Sequence, residues 1–229
     1  APPSIPQAET GTGVILSITP PSGEALTYTQ VYEKAAPSIA ALTAYSAGMV
    51  STGTGIVLTA DGYIVTNAHI IAGAEQVNVT LSDDSLWSAQ LVGFEPLEDL
   101  AVLKIDASGL TPAQFGDDTL LRSGDPVSAI GNPMGYRSTI TPGIVSALDQ
   151  PVSVEGTTMY LLQTSAAINY GSSGGALLND RGQVVGVTTI KIVADDGSAE
   201  GLGFAIPTTR VKQVVDRLIA GAPVTRPSL

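Results

Sequence analysis

The 229 residues carry 10 Lys and Arg against 21 Asp and Glu, a formal net charge of −11, and 44% of them are hydrophobic while only 14% are charged. The acidic balance argues against a nucleic-acid-binding surface, which needs clustered Lys and Arg to neutralise phosphates, and the apolar content argues against disorder. With no Cys and one His, a disulfide framework is impossible and a zinc site is disfavoured, so neither metal nor cofactor is expected.

In chain order, residues 1–27 read as a leader or linker. Pro2, Pro3, Pro6, Pro20 and Pro21, with Gly11, Gly13 and Gly23, leave little room for regular structure beyond a short strand at 14–18. No run approaches the roughly 18 apolar residues of a membrane span. The chain starts at Ala1, so a signal or membrane anchor upstream of residue 1 stays open. A weak helical pattern over 28–36 stops before Pro37. Short runs rich in Val, Ile, Leu and Thr follow at 38–45, 53–59, 63–67, 76–81, 87–94 and 100–105, separated by turn signals such as Ala60-Asp61-Gly62. A second set lies at 126–130, 139–147, 150–154, 160–164, 176–179, 184–191 and 203–206. Six and then seven strands predict two β modules joined near 117–124. Val211, Val214, Val215, Leu218 and Ile219 predict an amphipathic helix, with Thr208 as its cap and Gly221 beyond its end.

One loop stands out between two apolar runs. Gly171-Ser172-Ser173-Gly174-Gly175 has the glycines a tight turn needs to present a hydroxyl and aim several N–H groups at one spot. A serine nucleophile needs a base, and the base needs an orienting group. His69 is the one histidine, at the end of an apolar strand. Asp99, just before another apolar strand, is the candidate acid, and Glu98 next door is the alternative. Chain order separates the known plans. The α/β-hydrolase order needs a His after the Ser, and none follows Ser173. The subtilisin order needs an Asp before the His, and only Asp61 precedes it, in an Asp-Gly turn. The chymotrypsin order is met by His69, Asp99 and Ser173.

Several segments together carry a specific resemblance. They are Thr66-Asn67-Ala68-His69, Asp99-Leu100-Ala101-Val102-Leu103-Lys104, Gly131-Asn132-Pro133, Gly143-Ile144-Val145-Ser146, Ala166-Ala167-Ile168-Asn169, the serine loop and Gly203-Phe204-Ala205-Ile206-Pro207. In that order, over roughly 38–221, the chain resembles the protease domain of the HtrA (Deg) family. Ser172 departs from the family's usual Asn, and Tyr170 from its more common Pro or Arg.

The resemblance implies an all-β fold, a chymotrypsin-like double β-barrel with a short N-terminal helix and one C-terminal helix. Barrel one is expected at about 38–118, barrel two at about 123–207 and the helix at 208–220, all within a protease domain of 28–221. Residues 222–229 would be a linker toward a PDZ domain. It further implies a serine endopeptidase acting on unfolded or extended polypeptides in bacterial protein quality control. Such an enzyme would be extracytoplasmic and a homotrimer. His69, Asp99 and Ser173 would form the triad, with the N–H groups of Gly171 and Ser173 as the oxyanion hole. Ala167 and Ile168 would line the primary pocket, and the strand Thr188, Thr189 and Ile190 would form its wall and pair with substrate backbone. The alternative is a non-catalytic chaperone or scaffold on the same fold.

Overall fold

The computed structural model describes residues 1–132, 137–154, 156–189 and 202–224. The segment expected as a leader is irregular, as its Pro and Gly dictate, yet it is docked along its length. Its one strand is β1 (Ile18–Thr19), shorter than expected. Elsewhere its backbone finds single partners: Ser4 N–H donates to Ala74 O, Ala8 N–H to Leu91 O and Gly11 N–H to Ile219 O. Leu16 N–H donates to Asp216 Oδ1 at 2.7 Å. Ile5 and Leu16 are buried. Extended chain without a ladder can still satisfy its polar groups one by one, and residues 1–19 do so as a strap. Next, α1 (Tyr28–Ala35) opens on a capping box. Thr27 Oγ1 accepts from Gln30 N–H, and Gln30 Oε1 accepts from Thr27 N–H at 2.9 Å.

The first module contains β2 (Ile39–Ser46), β3 (Met49–Val57), β4 (Tyr63–Thr66), the one-turn helix α2 (Ala68–Ile71), β5 (Gln76–Thr80), β6 (Leu86–Ser88), β7 (Gln90–Glu95) and β8 (Leu100–Lys104). Their order in the sheet is β6-β5-β2-β3-β4-β8-β7. The single strand expected over 87–94 is two strands, with the break at Ala89, whose N–H turns to Val77 O. Side chains alternate between two interiors, as the period of 2 requires. Ala101 and Leu103 face the lumen of this module, while Leu100 and Val102 face the second one. Both faces are buried, so the strand reads as an unbroken apolar run.

The second module contains β9 (Phe115–Gly116), β10 (Pro126–Gly131), β11 (Thr139–Val154), β12 (Thr157–Thr164), β13 (Ala176–Leu178), β14 (Val184–Thr189) and β15 (Gly203–Pro207). The order β14-β13-β10-β11-β12-β15 closes on itself through β14–β15 pairing, giving a six-stranded barrel. The strands expected at 139–147 and 150–154 are one strand, β11. Two register shifts absorb the interruption, and Asp149 takes φ +47° there. Asp tolerates that left-handed region better than most residues.

The last helix, α3 (Thr208–Ala220), lies in the seam. Its apolar face packs with Val92, Leu100 and Val102 of the first module and Val184 and Ile206 of the second. Thr208 is not its cap: it is buried and its hydroxyl donates to Val184 O at 3.0 Å. The first-turn N–H of Thr209 is met instead by Asp118 Oδ1 at 2.7 Å, a partner 91 residues away. Burial raises the Asp118 carboxyl above its ordinary range, and the bonds from Thr209 only partly offset this. Gly221 ends the helix at φ +69°. Among the described residues no helix is long and apolar enough to cross a membrane.

Candidate active site

The site lies where the two barrels meet. Strand β4 ends at Thr66, Asn67 remains extended, and α2 then turns once and presents His69. His69 therefore sits on a helical turn rather than on a strand end. Its side chain is 28% exposed, while that of Asp99 is 1% exposed. Asp99 Oδ1 accepts from the His69 backbone N–H at 3.0 Å, and both carboxylate oxygens lie 2.9 Å from His69 Nδ1. Thr189 Oγ1 donates to Oδ2 at 2.9 Å, and Asn67 Nδ2 donates to Asp99 O at 3.0 Å. These bonds hold Asp99 at φ +51°, a conformation costing about 1–2 kcal/mol for an L-residue. A buried carboxylate on Nδ1 favours the tautomer with its proton there, leaving Nε2 as the acceptor.

The neighbouring carboxylate is engaged elsewhere. Glu98 takes a two-pronged ion pair from Arg210 of α3, Nε to Oε2 at 2.9 Å and Nη2 to Oε1 at 2.6 Å. Of the two acids left open by the sequence, only Asp99 meets His69.

Ser173 is 2% exposed and lies in the loop between β12 and β13. Its carbonyl accepts from Thr54 N–H of β3 at 2.9 Å. Ser172 O accepts from Thr188 Oγ1 at 2.9 Å and from Gly175 N–H at 3.0 Å. Gly174 N–H donates to Thr188 O, and Thr188 N–H to Gly175 O, each at 2.9 Å. The loop is thus fixed to Thr188, and Asp99 to the adjacent Thr189, so one strand registers both. Gly174 has φ +84°, and a Cβ there would collide with Thr54 O. Only glycine allows so close an approach.

Residues 53–187 match the family model described as the trypsin-like peptidase domain. The chain is 46% identical over 178 residues to a probable periplasmic serine endoprotease, DegP-like, of Chlamydia trachomatis, covering 76% of this chain and 35% of that protein. It is 40% identical over 222 residues to the serine protease PepD of Mycobacterium tuberculosis, covering 87% of this chain and 48% of that one. The solved HtrA-type protease AlgW with a tripeptide superposes with a TM-score of 0.79 at 40% identity, covering 86% of this chain and 65% of that one. The chain belongs to the HtrA-type trypsin-like peptidases. It spans between a third and a half of the length of these two curated relatives.

In this HtrA-type chain the expected pocket residues divide. Ala167 is exposed, and its carbonyl accepts from Thr141 Oγ1 at 2.8 Å. Ile168 is half-buried, with its Cδ1 2.9 Å from where a Cβ on Gly203 would stand. Gly203 was not singled out for the pocket, yet its missing side chain is what gives Ile168 room. Thr188 and Thr189 end β14. Both are buried and spend their hydroxyls inward, on Ser172 and Asp99. In β14 they pair on one edge with Ala205 and Phe204 of β15. Ile190, the remaining residue of that expected wall, lies outside the described residues, as does Pro133 of the Gly131-Asn132-Pro133 segment. Tyr170, one residue before Gly171, is 84% exposed. The roles of Asn67, Thr54 and Thr189 escaped the sequence reading, because each acts through one hydroxyl or amide with no periodic signature.

Proposed function

We infer that this chain is a serine endopeptidase that cuts unfolded or extended polypeptide through an acyl-enzyme. The observation carrying this reading is Asp99, held between His69 Nδ1 and Thr189 Oγ1 with the Ser173 loop docked on the same strand. His69 Nε2 accepts the proton of Ser173 Oγ as that oxygen attacks the substrate carbonyl carbon. The carbonyl oxygen becomes an oxyanion received by the N–H groups of Gly171 and Ser173. Protonated His69, stabilised by ionised Asp99, then gives its proton to the leaving amine. Water repeats the sequence on the acyl-enzyme and frees Ser173. No cofactor enters.

The protease unit is residues 28–221, with barrels at about 38–118 and 123–207, and the strap belongs to it through its docking. The primary pocket, built on Ala167 and Ile168, takes small or medium aliphatic side chains. A relative named periplasmic, and a relative solved with a bound tripeptide, support extracytoplasmic work on peptide segments. Quality control of unfolded proteins, in the bacterial envelope or as a secreted or membrane-anchored protein, fits that setting. The assembly is a homotrimer, which light scattering tests as three chains of 23.3 kDa.

Turnover of denatured casein tests the chemistry. Ser173→Ala should lower it about 10⁶-fold, the scale of nucleophile removal in subtilisin. Turnover that survives Ser173→Ala would sink the reading.

A further inference from the structure

The geometry points to Thr54 as the positioning residue that sets the oxyanion-binding backbone, reaching from barrel one into the serine loop of barrel two. This rests on the peptidase reading above. Thr54 is wholly buried, and both its N–H and its hydroxyl are used across that seam. Its N–H donates to Ser173 O at 2.9 Å. Its hydroxyl donates to Gly171 O at 2.7 Å and accepts from Asn132 N–H at 2.8 Å. Its own carbonyl accepts from Thr66 Oγ1 at 2.8 Å, on the strand leading to His69.

A trans peptide is planar, so fixing a carbonyl fixes the N–H on its far side. The carbonyls of Gly171 and Ser173 are both held by Thr54, and that of Ser172 by Thr188 and Gly175. The Ser173 N–H shares its plane with the Ser172 carbonyl and is thus set by Thr188 and Gly175, while Thr54 sets the next planes, Gly171–Ser172 and Ser173–Gly174, on the C-terminal side of each oxyanion-binding residue. Glycine at 171, with φ +85°, has a broader choice of backbone conformations than the two serines that follow it. The Gly171–Ser172 plane therefore needs an external hold, and the Thr54 hydroxyl supplies one, limiting how far Gly171 and its N–H can turn. A β-branched residue suits this task, because its χ1 is stiff. Gly53 and Gly55 on either side let β3 lie close to Ile70 and Ile64, where a Cβ would overlap those side chains.

The test compares wild type, Thr54→Val and Thr54→Ser. Valine keeps the shape and the backbone bond to Ser173 but deletes the hydroxyl. Losing one oxyanion donor costs about 10²–10³ in kcat, and misplacing a donor should cost part of that. The expected result is a fall in kcat of about 10–100-fold with KM changed less than about threefold, and recovery to within about threefold by Thr54→Ser. The pH titration of the single imidazole, read by NMR, should be unchanged, since Thr54 does not touch His69 or Asp99. If Thr54→Val fails to fold, Thr54→Cys, with a weaker donor, should fall between Ser and wild type on one side and total loss on the other. An active wild type with Thr54→Val equal in kcat, or with Ser as damaged as Val, overturns the inference alone. A wild type inert on denatured casein overturns the peptidase reading and this inference with it.

Discussion

Two adjacent carboxylates with different jobs give the sharpest test. Glu98 and Asp99 share a peptide bond, yet one faces α3 and the other faces His69. Removing charge from each should move different observables. Glu98→Gln breaks a two-pronged pair whose side chains are 17% and 11% exposed, for Arg210 and Glu98 respectively. Stripping one partner from a buried pair costs about 3–5 kcal/mol. The residual exposure and the second contact of Arg210, Nη1 to Gln213 Oε1 at 2.9 Å, place this site at the low end, about 3 kcal/mol. Urea unfolding would read that loss, and casein turnover at a temperature where both proteins are folded should stay within about threefold, since no catalytic proton passes through Glu98. Asp99→Asn should do the reverse, lowering kcat about 10⁴-fold by favouring the wrong imidazole tautomer. A folded Glu98→Gln protein with turnover down by 100-fold or more, about 2.7 kcal/mol of activation barrier, would show that the acid has been misassigned.

Three further outcomes follow from the same contacts. Mass spectrometry of casein fragments should find cuts after Val, Ala, Ile and Leu, because a Lys or Arg buried beside Ala167 and Ile168 would be a desolvated cation; a majority of cuts after Lys or Arg refutes the pocket. Asp118 is protonated more readily folded than unfolded, so its ionised form costs stability at neutral pH, and the cost fades as pH falls through its raised folded value. The melting temperature of Asp118→Asn relative to wild type should therefore be highest near neutral pH and decline as the solution is acidified, and a pH-independent difference would contradict this. Ile5→Ala should cost about 2–4 kcal/mol in urea unfolding if the strap is part of the core, and under about 0.5 kcal/mol if it is a free leader.

Much of the architecture was legible because strands buried on both faces announce themselves as apolar runs. The α3 helix was legible too, since five apolar residues at helical spacing admit few readings. Local signals failed where structure depended on distant partners. The four residues of α2 are too short for any periodicity, so His69 read as a strand end. The division of 139–154 into two strands fails because the sheet accommodates the interruption near Asp149 as a bulge. Thr208 had the chemistry of a helix cap, but Asp118 occupies that place. Residue types and chain order were enough to nominate His69, Asp99 and Ser173. They were silent on Thr189 and Thr54, whose contacts span 90 and 117 residues of sequence.

The strap ties the first residues of the chain to some of the last. Gly11 bonds to Ile219 and Leu16 to Asp216, across 200 residues or more, and Lys212 Nζ reaches back to Leu16 O at 2.6 Å. During synthesis residues 1–8 can dock on the first module once it forms, through Ala74 and Leu91, whereas Gly11 and Leu16 have nowhere to dock until α3 has been made. Contacts this distant in sequence carry a large loop-closure cost and slow folding. The second half of the strap is thus a late-closing seal: it can register completion of the helix between the barrels, and until it closes, Leu16 remains exposed to solvent.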